Sequence, residues 1–200
     1  MDSVGILGGT FDPIHYGHLT LAEDAMFRAG LAKIIFVPAA RPPHKDNYRV
    51  QSSEHRVAMV KHAINYNPKF ELSTIELERT GPSYTVDTVY DLKQKYSTSD
   101  LYYIMGLDAF LTLYEWKEAD RLVNLCRFII LTRPGYNRAE AELASAWPAG
   151  SRPNFSIIEL RQVDISSQEL RSKILKREAI TGLVPRSVEQ YIKTNRLYLG

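Results

Sequence analysis

The chain has 200 residues, 44% hydrophobic and 24% charged, proportions that suit one soluble α/β domain. Its formal net charge of +2 is too small to argue for nucleic acid or an anionic membrane as partner, and no apolar run approaches the length of a bilayer span. The single cysteine, Cys126, rules out an internal disulfide and fits a reducing, cytoplasmic setting. It lies inside the apolar run Leu125 to Leu131 and reads as a buried thiol rather than a nucleophile. The chain enters an apolar run at once, without the basic region and long apolar core of a secretory leader.

Val4 to Leu7 reads as a buried strand, and Leu19, Ala22, Met26 and Ala29 recur at helical spacing. The stretch between them is therefore a strand-to-helix turn. Gly8 and Gly9 permit close backbone approach there. A helix start offers N–H groups and a positive dipole end, which suit phosphate. His15 and His18 are three apart, so both imidazoles face one side of the first turn. Two histidines beside a glycine turn could also cap a helix and face water. The glycine pair, Thr10 and the H-x-x-H spacing together favour a phosphate site. A zinc site is disfavoured, since there is no H-E-x-x-H pattern and no second cysteine.

Gly8-Gly9-Thr10-Phe11-Asp12-Pro13-Ile14-His15-Tyr16-Gly17-His18 resembles the signature of the nucleotidyltransferase superfamily, whose HxGH motif binds ATP phosphates. In its longer form it is similar to that of the bacterial nicotinate-nucleotide adenylyltransferases.

Lys33 to Pro38 reads as a second buried strand, which makes a βαβ unit and hence a parallel sheet. Pro42 and Pro43 then bar regular structure, so Ala39 to Asp46 is a loop leaving a strand's carboxyl end. It is either a solvated basic loop or a phosphate clamp built on Lys45 with His44. Ser52 and Ser53 offer an N-cap for a helix with Val57, Val60 and Ile64 on its buried face. Arg56 falls off that stripe, as a surface charge or a substrate contact. Phe70 and Leu72 suggest a third strand.

Gly81-Pro82 makes a turn, after which Ser83 or Thr85 caps a helix with Val86, Val89 and Tyr96 on its buried side. Leu101 to Met105 is a fourth strand. It runs into Gly106-Leu107-Asp108, where Asp108 either caps the next helix or accepts from ribose hydroxyls. Trp116 can be core or can stack on a flat ring, whereas Trp147 reads as structural. Arg127 to Thr132 is a fifth strand, residues 136 to 153 a helix and a surface loop, and Asn154 to Leu160 a last strand. Ser166 with Glu169 makes a capping box, and Ile165 with Leu170 a hydrophobic staple. That accounts locally for the helix start. Ser167 and Arg171 in its first turn also make a good anion site. Pro185 opens a final helix with Val188, Tyr191 and Ile192 on one face.

The resemblance covers nearly the whole chain. Pro42-Pro43-His44-Lys45, Ser83-Tyr84-Thr85-Val86-Asp87-Thr88, Gly106-Leu107-Asp108 and Ile165-Ser166-Ser167…Leu170-Arg171 match segments of the family, with Leu107 where alanine is frequent. It implies a Rossmann-like, doubly wound α/β fold, a mainly parallel sheet of about five or six strands with helices on both faces. One nucleotidyltransferase domain would span residues 1–200, with 161–200 a helical part carrying the second phosphate motif. It implies ATP contacts from Gly8, Gly9, Thr10, Phe11, His15, His18, Gly106, Asp108, Ser166, Ser167 and Arg171. Nicotinate mononucleotide would meet Lys45, Tyr84, Thr85, Trp116 and Lys117. Among these, His15, His18, Lys45 and Arg171 would be catalytic.

The implied reaction gives deamido-NAD and pyrophosphate, a step of NAD biosynthesis. Mg2+ would arrive with ATP and bridge its phosphates, with no protein cage evident for it. Nucleic acid and membrane are not expected as partners, and a homodimer stays open. The alternatives are transfer to another phosphorylated acceptor, such as nicotinamide mononucleotide or phosphopantetheine, and a nucleotide-sensing module. An aminoacyl-tRNA synthetase fragment shares the histidine motif, but no anticodon-binding domain is visible.

Overall fold

Parallel strands are buried on both faces and read as continuous apolar runs, and the runs foreseen above do become parallel strands. The computed structural model describes residues 2–40, 50–132, 135, 147, 152–160 and 164–199. The strands are β1 (Ser3–Gly9), β2 (Lys33–Pro38), β3 (Phe70–Leu72), β4 (Asp100–Gly106), β5 (Arg127–Thr132) and β6 (Phe155–Glu159). The helices are α1 (Tyr16–Arg28), α2 (Ser53–Ile64), α3 (Thr85–Lys95), α4 (Leu107–Leu111), α5 (Ala119–Leu125), α6 (Ser167–Leu175) and α7 (Arg186–Thr194). All six strands pair parallel, in the order β3-β2-β1-β4-β5-β6. The winding reverses between β1 and β4, and a crevice opens at the carboxyl ends of strands at such a point.

Successive strand residues point to opposite faces, so each strand feeds two cores. Leu7, Ile34, Phe36, Ile104 and Ile129 pack with α1, α2, α6 and α7. Val4, Ile6, Ile35, Val37 and Ile130 pack on the other face with α3 and α5. The C-terminal helices are part of the first layer, through Leu170, Ile174, Val188 and Ile192. A 3.0 Å hydrogen bond between His55 Nδ1 and the Tyr191 hydroxyl ties α7 to α2.

Two local expectations need correction. On α2 the buried stripe is Arg56, Met59, Val60, Ala63 and Ile64, not one centred on Val57. Arg56 therefore lies on the stripe, because the burial spacing is i, i+3, i+4, i+7, i+8 counted from it. On α3 the N-cap is Tyr84, without a side-chain cap bond. Ser83 Oγ accepts instead from the Ala40 N–H at 3.0 Å, joining α3 to the end of β2. Trp147 is buried, its ring 6.2 Å from that of Phe110. Cys126 is buried, and burial pushes its thiol up to about 12. Both are structural, as expected. Lys45, His44, Arg133 and most of 136–153 lie outside the described residues.

Candidate active site

β1 delivers Gly8 and Gly9 to the crevice. A Cβ on Gly8 would lie 2.8 Å from the Tyr103 hydroxyl, so a side chain there would displace β4's phenol. Gly9 pairs with Pro38, and its carbonyl accepts from the Ala39 N–H at 2.9 Å. The chain then turns through Phe11, at φ 50, and a cis bond between Asp12 and Pro13. The Phe11 ring is only 2% exposed and sits edge-on to His18 at 5.1 Å. Its side chain belongs to the core.

His15 is the N-cap of α1. Its N–H donates to His18 Nδ1 at 3.3 Å, and the two rings lie 3.8 Å apart with a 32° tilt. Because His18 Nδ1 accepts, the neutral ring carries its proton on Nε2, which is then its donor. Burial pushes His15 down to about 4, so it is neutral at pH 7. Its Nδ1 is buried without a hydrogen-bond partner. Two imidazolium rings this close would repel, and one neutral ring avoids that cost.

The amides of α1 are less open to phosphate than the sequence suggests. Tyr16 N–H donates to the Leu183 carbonyl and His18 N–H to the His15 carbonyl, both at 3.0 Å. Recognition therefore leans on side chains.

The second motif comes directly against the first. Ser166 caps α6, its Oγ accepting from the Glu169 N–H at 3.1 Å. Ser167 Oγ donates to the Pro13 carbonyl at 2.9 Å, and Arg171 Nη1 to the Asp12 carbonyl at 2.6 Å. Gly17 shows how close the two lie. A Cβ there would fall 2.9 Å from the His15 ring and 3.4 Å from the Ile165 carbonyl. Arg171 and His18, so distant in the chain, thus flank one turn.

Arg56 answers to neither sequence reading. It is 2% exposed, its Nη1 donating to the Thr10 carbonyl at 2.9 Å and its Nε to the Gln51 carbonyl at 3.0 Å. Burial lowers its pKa, and the nearby Asp12 carboxylate opposes that. It is a clamp that fixes the phosphate turn to α2.

Across the crevice, Tyr103 stands between Gly8 and Trp116. Its ring meets Trp116 edge-on at 6.4 Å. Burial pushes its phenol up to about 12, against a hydrogen bond with the Thr85 side chain. Lys117 Nζ sits 4.3 Å above the Tyr84 ring and 3.4 Å from the Asp87 carboxylate. Tyr84, Thr85, Trp116 and Lys117 are therefore brought together. Gly106 caps α4 at the end of β4, with Asp108 exposed in its first turn.

Tyr103 and Tyr198 were not singled out in the sequence, nor was the close packing at Gly17 beyond its place in the H-x-G-H motif, nor the clamping role of Arg56. Gly17 could have been found, since a glycine between the two histidines of a helix's first turn argues for close packing. Among the described residues, no group of three or more His, Cys, Asp or Glu is arranged to hold a metal.

Residues 6–173 match the model of the cytidylyltransferase-like family. A probable nicotinate-nucleotide adenylyltransferase of Moorella thermoacetica is 46% identical over 98% of this chain and 91% of its own. The nicotinate-nucleotide adenylyltransferase of Bacillus subtilis is 39% identical over 99% of both chains. A solved structure of Plasmodium falciparum nicotinic acid mononucleotide adenylyltransferase complexed with NaAD superposes with a TM-score of 0.79, over 99% of this chain and 98% of that one. At 22% identity, that likeness speaks for the fold. The sheet order, the two motifs brought together at one turn and these relatives lead to one assignment: the chain belongs to the cytidylyltransferase-like family and, within it, to the nicotinate-nucleotide adenylyltransferases.

Proposed function

We propose that the protein transfers the adenylyl group of ATP to nicotinate mononucleotide, releasing pyrophosphate and forming deamido-NAD. One observation carries the reading: Ser167 and Arg171 of the second motif bond to the Pro13 and Asp12 carbonyls of the first. A single triphosphate can then be held from two sides. A mononucleotide phosphate oxygen attacks the α-phosphorus, and the bond from that phosphorus to the bridging oxygen breaks. Pyrophosphate leaves with the electron pair. No protein nucleophile is needed, so catalysis is positioning plus stabilisation of charge.

In this reading Gly8, Gly9 and Thr10 line the floor of the phosphate subsite. His18 donates through Nε2, and His15, neutral at pH 7, orients rather than neutralises. Positive charge comes from Arg171 and Lys45. Tyr84, Thr85, Trp116 and Lys117 surround the pyridine ring, and Gly106 and Asp108 receive the adenosine side. Magnesium, bound to ATP, would neutralise phosphate oxygens. Such a metal would be held by phosphate oxygens and water. The chain would act as one cytoplasmic domain, with the part from residue 161 supplying the second phosphate motif.

Pyrophosphate release from ATP plus the mononucleotide tests the reading. His18→Ala should lower turnover by about 100-fold or more, the usual loss of one donor to developing charge. No release above that variant would end it. Competition among nicotinate mononucleotide, nicotinamide mononucleotide and phosphopantetheine fixes the acceptor.

A further inference from the structure

Asp12 is 2% exposed, in the middle of the phosphate turn. Its Oδ1 accepts from the Tyr198 hydroxyl at 2.7 Å, a link across 186 residues, and from the Gln51 N–H at 3.4 Å. Its Oδ2 is buried without a partner. The Tyr198 phenol is thus the one side-chain donor to this carboxylate among the described residues.

The tail that presents Tyr198 is not a loose end. Arg196 and Tyr198 adopt φ 52 and φ 65, left-handed values that residues other than glycine seldom take. Leu197 between them is buried, and its N–H donates to the Ile192 carbonyl at 3.1 Å. The Tyr198 hydroxyl also lies 3.9 Å from Met59 Sδ, which holds it against α2. Backbone of this kind persists where surrounding contacts over-determine it, and such places cluster at functional sites.

Apart from the long Gln51 N–H contact, the other grips on the turn act on its main chain: Arg56 holds the Thr10 carbonyl, Arg171 the Asp12 carbonyl and Ser167 the Pro13 carbonyl. Tyr198 alone fixes the Asp12 side chain from another element's side chain. The peptide that bears Asp12 leads within three residues to His15, whose ring and the His18 ring lie 3.8 Å apart. A carboxylate free to rotate would let that turn, and the imidazoles after it, take more than one arrangement.

We propose that Tyr198 is a positioning residue for ATP: through Asp12 it fixes the turn that aims the His15–His18 pair at the phosphates. The proposal rests on the nucleotidyl-transfer reading only in naming ATP as the ligand. Its effect belongs to the triphosphate side and leaves the pyridine side alone.

Tyr198→Phe keeps the ring against the core and removes the hydroxyl, with its contacts to Asp12 and Met59. Calorimetric titration with ATP should show affinity weakened about tenfold, the worth of a hydrogen bond to a charged group. Affinity for nicotinate mononucleotide should stay within about twofold, and in turnover the KM for ATP should rise, with kcat falling too because the His18 donor is less well aimed. Asp12→Asn should weaken ATP similarly, and the double variant no further, since both act on one link. Leu197→Ala, which loosens the same tail through packing, should lower the melting temperature without separating the two affinities. Equal losses for both ligands, ATP affinity unchanged, or multiplying effects of the two substitutions would each overturn the proposal. A wild-type protein that binds ATP without turnover ends the proposed reaction, yet the binding cycle still decides the role of Tyr198. One that binds no ATP ends both.

Discussion

The two helix starts that meet in the crevice are supported in different ways. α6 is capped from its own first turn, with Ser166 Oγ taking the Glu169 N–H. α1 begins at His15, whose N–H donates to His18 Nδ1 within its own first turn, and the turn before it is held by distant residues. Arg56 grips Thr10, Tyr198 grips Asp12, and Leu183 takes the Tyr16 N–H. A helix start that caps itself tolerates a mobile neighbourhood. One whose imidazoles must face a phosphate needs its geometry imposed from outside, and ligand-facing groups do require support of that kind. The two differ in how each should fail.

The largest effect should come from Arg56→Ala. It removes the donors to the Thr10 and Gln51 carbonyls and leaves the Asp12 carboxylate buried without the charge that Arg56 brings near it. Removing a buried arginine that leaves two carbonyls without their donors costs about 3 kcal/mol. Denaturant unfolding should show that loss, and ATP affinity should fall even where the protein remains folded. A loss below about 1 kcal/mol, the level of an exposed pair, would mean that the turn holds itself.

This difference also decides what could be read from the sequence. Val4 to Leu7, Lys33 to Pro38 and Arg127 to Thr132 are continuous apolar runs, and buried parallel strands leave that mark. The α6 start was legible because Ser166, Glu169, Ile165 and Leu170 lie within one turn of each other. Arg56 was not, because arginine is rarely buried and its partners are main-chain carbonyls, which have no sequence signature. Ser83 looked like a local cap and instead serves Ala40, 43 residues away. The pairing of Tyr198 with Asp12 spans nearly the full chain and is invisible for the same reason. The motifs announced the chemistry, and what holds them together appears only once the chain is folded.

Acid should separate the two starts next. Folded His15 binds no proton until about pH 4, whereas the unfolded chain takes one near 6.5. Its contribution is therefore intact above about pH 6.5 and is lost as pH falls, by up to about 3 kcal/mol on approaching 4. His15→Gln should flatten the stability curve across that window, measured by urea unfolding at several pH values. Unchanged slopes would place the protonation elsewhere and weaken the case for a neutral His15 at the phosphates. Bound ATP should oppose the loss, since a triphosphate favours the imidazolium.

The smallest effect tests the self-capped start. Ser166→Ala removes the acceptor for the Glu169 N–H and should cost about 1 kcal/mol, the usual worth of such a cap. Because that oxygen is committed to its own helix, the KM for ATP should move less than with Ser167→Ala, which cuts the bond to Pro13. Steady-state kinetics on the two variants, at matched folded fraction, make the comparison. If Ser166→Ala impairs ATP more than Ser167→Ala does, α6 holds the nucleotide through its cap, and the two starts share more of one plan than their hydrogen bonds suggest.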